Sequence, residues 1–123
     1  AQGRADVLQW LFWQMAGLGP MLGQASHFRN YAPEPVPYAM ERYTNESLRL
    51  LAVLDRRLED RAFIGGTDYS IADMACYPWA SLGAKLLGGD AAFPHLERWV
   101  AAIAERPATE RAYAIAERPE LQN

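Results

Sequence analysis

The sequence predicts an all-α domain, and three observations carry that reading. Apolar residues recur at spacings of three and four in four separate segments, the mark of helices with a buried face. The stretch Tyr69-Ser70-Ile71-Ala72-Asp73-Met74 announces a helix start in mid-chain. No segment alternates apolar and polar residues as a half-buried strand would.

The first helix is expected from about Asp6 into Gly17-Leu18-Gly19-Pro20. Leu8, Leu11, Phe12, Met15 and Leu18 form one apolar stripe; Val7, Trp10, Trp13 and Gly17 form a second. A helix apolar on two faces needs two partners. One would be this domain's core, and the other would cover the Val7/Trp10/Trp13 stripe from outside the chain. Gly17, Gly19 and Pro20 should kink or interrupt the helix before it resumes through Met21, Leu22 and Phe28.

Ala32-Pro33-Glu34-Pro35-Val36-Pro37 predicts an extended connection, because each proline restricts the residue before it. Pro37 suits the first turn of the helix that follows. That helix should span about Tyr38 to Arg61. Tyr43, Ser47, Leu50, Leu51, Leu54 and Leu58 make its inner stripe, and Glu41, Arg42, Asn45, Glu46, Arg49 and Arg56 its outer face. Phe63-Ile64-Gly65-Gly66 then turns the chain.

At the mid-chain start, Ser70 is expected to accept from the N–H of Asp73, while the Asp73 carboxylate accepts from the N–H of Ser70. This is a capping box with Asp in place of the commoner Glu or Gln, and Tyr69 and Met74 hold the staple positions around it. Behind it Ile71, Ala75, Trp79, Leu82 and Leu86 make an apolar face, and Ala72 adds apolar surface on another. The helix should therefore be central, bent at Pro78 and closed by Gly88-Gly89. A fourth helix from about Pro94 turns Leu96, Trp99, Val100 and Ile103 inward and stops at Arg106-Pro107. A short fifth runs from Pro107 to about Glu117, anchored by Tyr113 and ended by Pro119.

The 123 residues, half of them hydrophobic, suit one domain spanning 1–123 with one core. A net charge of −3, with a single lysine and eleven scattered arginines, argues against nucleic acid and against an anionic membrane surface. Cys76 stands alone, so no intramolecular disulfide or zinc cluster can form, and burial as a small apolar residue is its expected role. His27 and His95 lack neighbours at metal-ligand spacing. With no signal peptide and no membrane-length apolar run, a cytoplasmic setting is expected. The opening Ala-Gln-Gly-Arg, without an initiator methionine, suggests a processed or truncated product.

Ser70-Ile71-Ala72-Asp73, followed by Pro78-Trp79, resembles the C-terminal helical domain of the cytosolic glutathione S-transferases. Leu8-Gln9-Trp10-Leu11-Phe12-Trp13-Gln14 continuing to Gly17-Leu18-Gly19-Pro20-Met21-Leu22-Gly23-Gln24 resembles the bacterial nu class. So does Pro37-Tyr38-Ala39 with Glu41-Arg42-Tyr43. The resemblance covers nearly the whole chain. It implies a bundle of five to six helices and glutathione as cosubstrate. It also implies a small electrophilic or disulfide substrate, and a homodimer. An N-terminal thioredoxin-like domain of the same parent would stabilise the glutathione thiolate, and that domain is absent from this chain.

Within that family Arg42 is expected to reach glutathione; its planar fork suits a carboxylate. The plainer alternative is a surface pair with Glu46. Trp10, Trp13, Gln14, Met15 and Tyr38 would line the substrate pocket, against the alternative of core packing. Ser70 and Asp73 are structural, no residue is assigned a catalytic role, and no metal is expected. The chain alone is expected to be inactive, providing a pocket wall and dimer interface. A non-catalytic glutathione-transferase-like interaction module is the competing function, and the Trp/Gly-rich first helix favours the enzyme.

Overall fold

A computed structural model describes residues 2–87 and 92–117. In chain order it contains α1 (Gln2–Trp13), a π-helical segment (Gln14–Leu18), α2 (Gly19–Asn30), α3 (Pro37–Arg57), α4 (Ile71–Leu87), α5 (Pro94–Ala104) and α6 (Pro107–Ala116). Among the described residues the only sheet-like pairing is an isolated bridge between Phe63 and Gly66, where Gly66 takes φ 139°. That left-handed value suits a residue without Cβ. The all-α architecture is therefore the one the periodicity predicts, and no described helix is long and apolar enough to cross a membrane. Gly88-Gly89 and Pro119, expected to stop α4 and α6, lie outside the described residues.

The first helix starts earlier than expected, at Gln2, and its α-helical ladder is interrupted, as expected near Gly17, Gly19 and Pro20, by the π-helical turn Gln14–Leu18, across which the chain stays helical. Trp13, Leu18 and Gly19 all keep right-handed helical dihedrals, and the Gly19 N–H donates to the carbonyl of Gln14, five residues back. The inserted residue absorbs Pro20, which has no N–H to offer a regular ladder. It also sets Gly19 against α4: a Cβ there would lie 2.9 Å from Gln14 Oε1 and 3.1 Å from Trp79 Nε1.

The two stripes of α1 do not divide core from outside partner as the sequence suggests, although Leu18 of the first is fully buried. Val7, Trp10 and Trp13 are half-buried and packed on the core, whereas Phe12 is 66% and Met15 73% exposed. Trp10 and Trp13 meet edge to face at 4.9 Å, and the Arg57 guanidinium sits 5.3 Å from the Trp10 ring centre. Arg57, the last residue of α3, thus covers part of the face assigned to an outside partner.

On α4 the buried face is likewise one residue out of step with the prediction. Ala72, Cys76, Ala80, Gly83 and Leu87 are buried, while Ile71 and Leu82 are exposed. Small residues occupy the centre because neighbouring helices approach closely there. A Cβ on Gly83 would stand 2.8 Å from Leu22 Cδ2 and 3.3 Å from Leu51 Cδ1. Burial of α4 on more than one side is as expected, but through its small side chains rather than its large ones.

The α3 stripe is buried as predicted at Ser47, Leu50, Leu51 and Leu54, with Leu58 just beyond, and the helix ends at Arg57 rather than Arg61. Tyr43 is only half-buried and stacks on Phe28 at 5.6 Å. Leu96, Trp99 and Ile103 bury the inner face of α5. No residue of α6 is buried; its Tyr113 meets Tyr77 edge-on at 6.0 Å.

Candidate functional site

Ser70 and Asp73 are committed to structure. Asp73 is fully buried, and its Oδ1 accepts from the Ile64 N–H and the Trp99 indole N–H, both at 2.9 Å. Its Oδ2 accepts from the Ser70 N–H at 2.9 Å and from the Ser70 hydroxyl at 3.1 Å. One carboxylate thus joins the Phe63–Gly66 turn, the start of α4 and the middle of α5. One arm differs from expectation: Ser70 Oγ accepts from the Ala72 N–H at 3.3 Å, while its hydroxyl donates to Asp73. The staple positions differ too. Met74 is exposed, and Tyr69 is taken by Phe63 at 5.6 Å and by the Arg106 guanidinium at 3.7 Å.

Arg42 has the opposite surroundings. It lines a cleft of about 650 Å³ between α2 and α3, with Met21, Tyr38, Glu41, Tyr43, Asn45, Glu46 and Arg49. Pro37 opens α3 without losing a needed N–H, so the first turn sets Tyr38, 73% exposed, one turn ahead of Arg42. The alternative surface pair considered for Arg42 belongs instead to Arg49. Arg49 Nε and Nη2 bond the two Glu46 oxygens at 2.8 and 2.7 Å, which holds the Glu46 carboxyl below its ordinary value. Arg42 adds only a weaker pull through space and hydrogen-bonds to no described residue. It lines the cleft, where a carboxylate could take its guanidinium bidentately.

Of the five pocket residues expected, only Tyr38 joins Arg42. Trp10 and Trp13 pack against the core. The Gln14 side-chain amide donates to the Ala75 carbonyl at 2.9 Å, tying the π-helical turn to α4, and Met15 is exposed beside it. Cys76 is fully buried, and burial with the Asp73 charge nearby pushes its thiol up to about 12. At neutral pH it carries no thiolate and offers no nucleophile. Among the described residues no group of three or more His, Cys, Asp or Glu is placed to hold a metal ion.

Sequence reasoning missed two long-range anchors. Asp55 Oδ1 accepts from the N–H groups of both His95 and Leu96 at 2.9 Å, capping α5 from forty residues away. Arg98 returns the tie by donating to the carbonyls of Leu58 and Arg61. No local spacing signals such a cap.

With this geometry in view, the comparisons with known proteins are specific. Residues 26–107 match the family model "Glutathione S-transferase, C-terminal domain". The chain is 50% identical to the disulfide-bond oxidoreductase YfcG of Escherichia coli over 89% of its own length and 51% of that protein's. It is 43% identical to the disulfide-bond oxidoreductase YghU of the same organism, covering 88% of the chain and 40% of the relative. Among solved structures, a glutathione transferase of Phanerochaete chrysosporium in complex with oxidized glutathione matches with TM-score 0.86 at 36% identity, over 94% of this chain and 54% of that one. A glutathione transferase of Burkholderia graminis, with two glutathione molecules bound per subunit, matches with TM-score 0.85 at 38% identity, over 94% and 51%. The chain spans about half the length of the relatives it matches.

Proposed function

On the premise that the chain belongs to the glutathione S-transferase family through its C-terminal helical domain, we propose that it is the helical half of a glutathione-dependent disulfide-bond reductase or transferase. The observation that carries this is the α2–α3 cleft, where Arg42 is exposed, hydrogen-bonds to no described residue and stands beside the exposed Tyr38. Glutathione bears two carboxylates, and a guanidinium fork with a free face is the group that recognises one of them. The names of two of the relatives, YfcG and YghU, are those of disulfide-bond oxidoreductases and favour thiol–disulfide exchange over conjugation.

In this proposal the thiolate is held by a thioredoxin-like half supplied elsewhere in a longer parent protein. The described residues offer no substitute: Cys76 is buried with a raised pKa, and the Ser70 hydroxyl is bonded to Asp73. Phe12 and Met15 at the end of α1, and Ile71 and Leu82 on α4, are exposed apolar side chains that such a half could cover. A homodimer and a cytoplasmic setting belong to the same proposal. The test is glutathione titration by calorimetry in the complete protein, comparing wild type with Arg42→Ala and Arg49→Ala. Loss of binding with the first substitution and retention with the second supports the assignment; equal binding in all three overturns it. The 123-residue chain alone should turn over neither an aryl halide nor a small disulfide with glutathione present.

A further inference from the structure

α1 is apolar on two faces, and the π-helical turn Gln14–Leu18 decides which of them the core receives. In an uninterrupted α-helix, at about 100° per residue, Leu11 would fall within about 20° of the buried Leu18, and Met15 and Leu8 within about 80°. Trp13 would point about 140° away. The one surplus residue of the π-turn rotates everything before it by about 100°. Trp10 then comes to about 20° and Trp13 to about 40° from Leu18, while Leu8 moves to the far side at about 180°. The side chains stand accordingly: Val7, Trp10 and Trp13 pack on the core, and Leu8 and Leu11 do not join them.

We propose that this turn is a register switch. With the π-turn in place the chain buries Trp10 and Trp13; with the turn relaxed to regular α-helix it buries Leu8, Leu11 and Met15 instead. Each register has its own gain. Relaxation restores the ordinary ladder, in which the Gly19 N–H no longer reaches five residues back to Gln14. The π register keeps the Arg57 guanidinium over the Trp10 ring and the Gln14 amide on the Ala75 carbonyl at 2.9 Å. Gln14 is the latch, because turning α1 swings its side chain away from α4. π-turns inside α-helices frequently sit at functional sites. Here the function is a choice of surface: one register turns Leu8 and Leu11 away from the core, the other Trp13. A partner that contacts one set favours that register.

The test labels the complete protein with 5-fluorotryptophan and assigns the two signals by Trp10→Phe and Trp13→Phe. Saturation-transfer fluorine NMR then detects any second environment in slow exchange with the first. Wild type should show a minor environment at both residues, with the solvent isotope shift of an exposed ring for Trp13. Gln14→Leu removes the latch and should raise that population roughly fivefold, as loss of one net hydrogen bond does. Deleting Ala16 takes out the surplus residue, so the helix becomes regular with Trp10 and Trp13 still inward. The minor environment should then vanish, both alone and in the Gln14→Leu background. A population unchanged by Gln14→Leu overturns the proposal, as does a minor environment that survives the deletion or a single environment in both wild type and Gln14→Leu. If the deletion variant does not fold, the comparison of wild type with Gln14→Leu decides alone.

Discussion

Asp73 and Arg42 are both charged residues of helices, yet their surroundings are opposed. Around Asp73 every carboxylate oxygen is matched: two donors meet each, the side chain is fully buried, and three segments of chain converge. Arg42 lines an open cleft, hydrogen-bonds to no described residue and only weakly influences Glu46. A buried charge persists only when its partners are supplied by the fold. An exposed one costs little to leave unmatched, and can therefore be reserved for a ligand. The completeness of the hydrogen bonding separates the structural residue from the binding candidate more sharply than charge, helix position or spacing does.

The hardest blow to this contrast is Asp73→Ala. It strands the Ile64 and Trp99 donors in a dry interior, and buried unsatisfied groups cost about 1–3 kcal/mol each. With the Ser70 amide also released, the expected loss is on the order of 3–5 kcal/mol, read from urea unfolding midpoints. A loss below about 1 kcal/mol would mean that water reaches these donors and that the site is no more committed than the cleft.

Gly83→Ala tests the packing on which the Asp73 side of the molecule rests. The new methyl would lie 2.8 Å from Leu22 Cδ2. Overpacking of this kind costs about 1–3 kcal/mol, offset by roughly 1 kcal/mol from the better helix propensity of alanine. A net loss of about 1 kcal/mol is expected. A neutral result would show that Leu22 swings aside and that α2 and α4 are less tightly locked.

What was legible in the sequence follows the same division. Helix period, the proline at the start of α3 and the Ser70/Asp73 spacing are local features, and the helices, the α3 stripe and the Asp73-to-Ser70 bond follow from them. The assignment of faces on α1 and α4 was not legible. Both helices are apolar nearly all round, so the pattern cannot say which side meets which neighbour. Gly19, Gly65 and Gly83 decide it by admitting close approach, and only the assembled fold reveals that Trp79, Val7 and Leu22 fill those places. The Asp55 cap on α5 was invisible for the related reason that donor and acceptor lie forty residues apart. At the candidate site, Tyr38 and Arg42 were legible as one short motif, whereas Arg49's capture of Glu46 turned on a choice between two arginines at neighbouring helical spacings.

Ser70→Ala should be milder than the first substitution. It removes the hydroxyl that bridges the Ala72 N–H and Asp73 Oδ2 but keeps the Ser70 amide bonded to Asp73. Loss of such a cap costs about 1 kcal/mol, and a thermal melt of the purified variant measures it. A loss as large as that of Asp73→Ala would place the weight of the site on the hydroxyl instead of the carboxylate.

Arg42→Ala is expected to have the smallest effect on stability and the largest on ligand. The side chain is exposed, hydrogen-bonds to no described residue and only weakly influences Glu46, whose partner is Arg49. Removing it should shift unfolding by no more than about 0.5 kcal/mol, the usual range for a surface change away from caps and cores. The same substitution in the complete protein should weaken glutathione binding by about 1.5–3 kcal/mol, the usual worth of a hydrogen bond to a charged group. Measuring both on one preparation is what gives the comparison its force. A fall in stability comparable to that of Ser70→Ala would show that Arg42 has a structural partner after all, and the distinction between a satisfied charge and a reserved one would fail at the residue on which it was drawn.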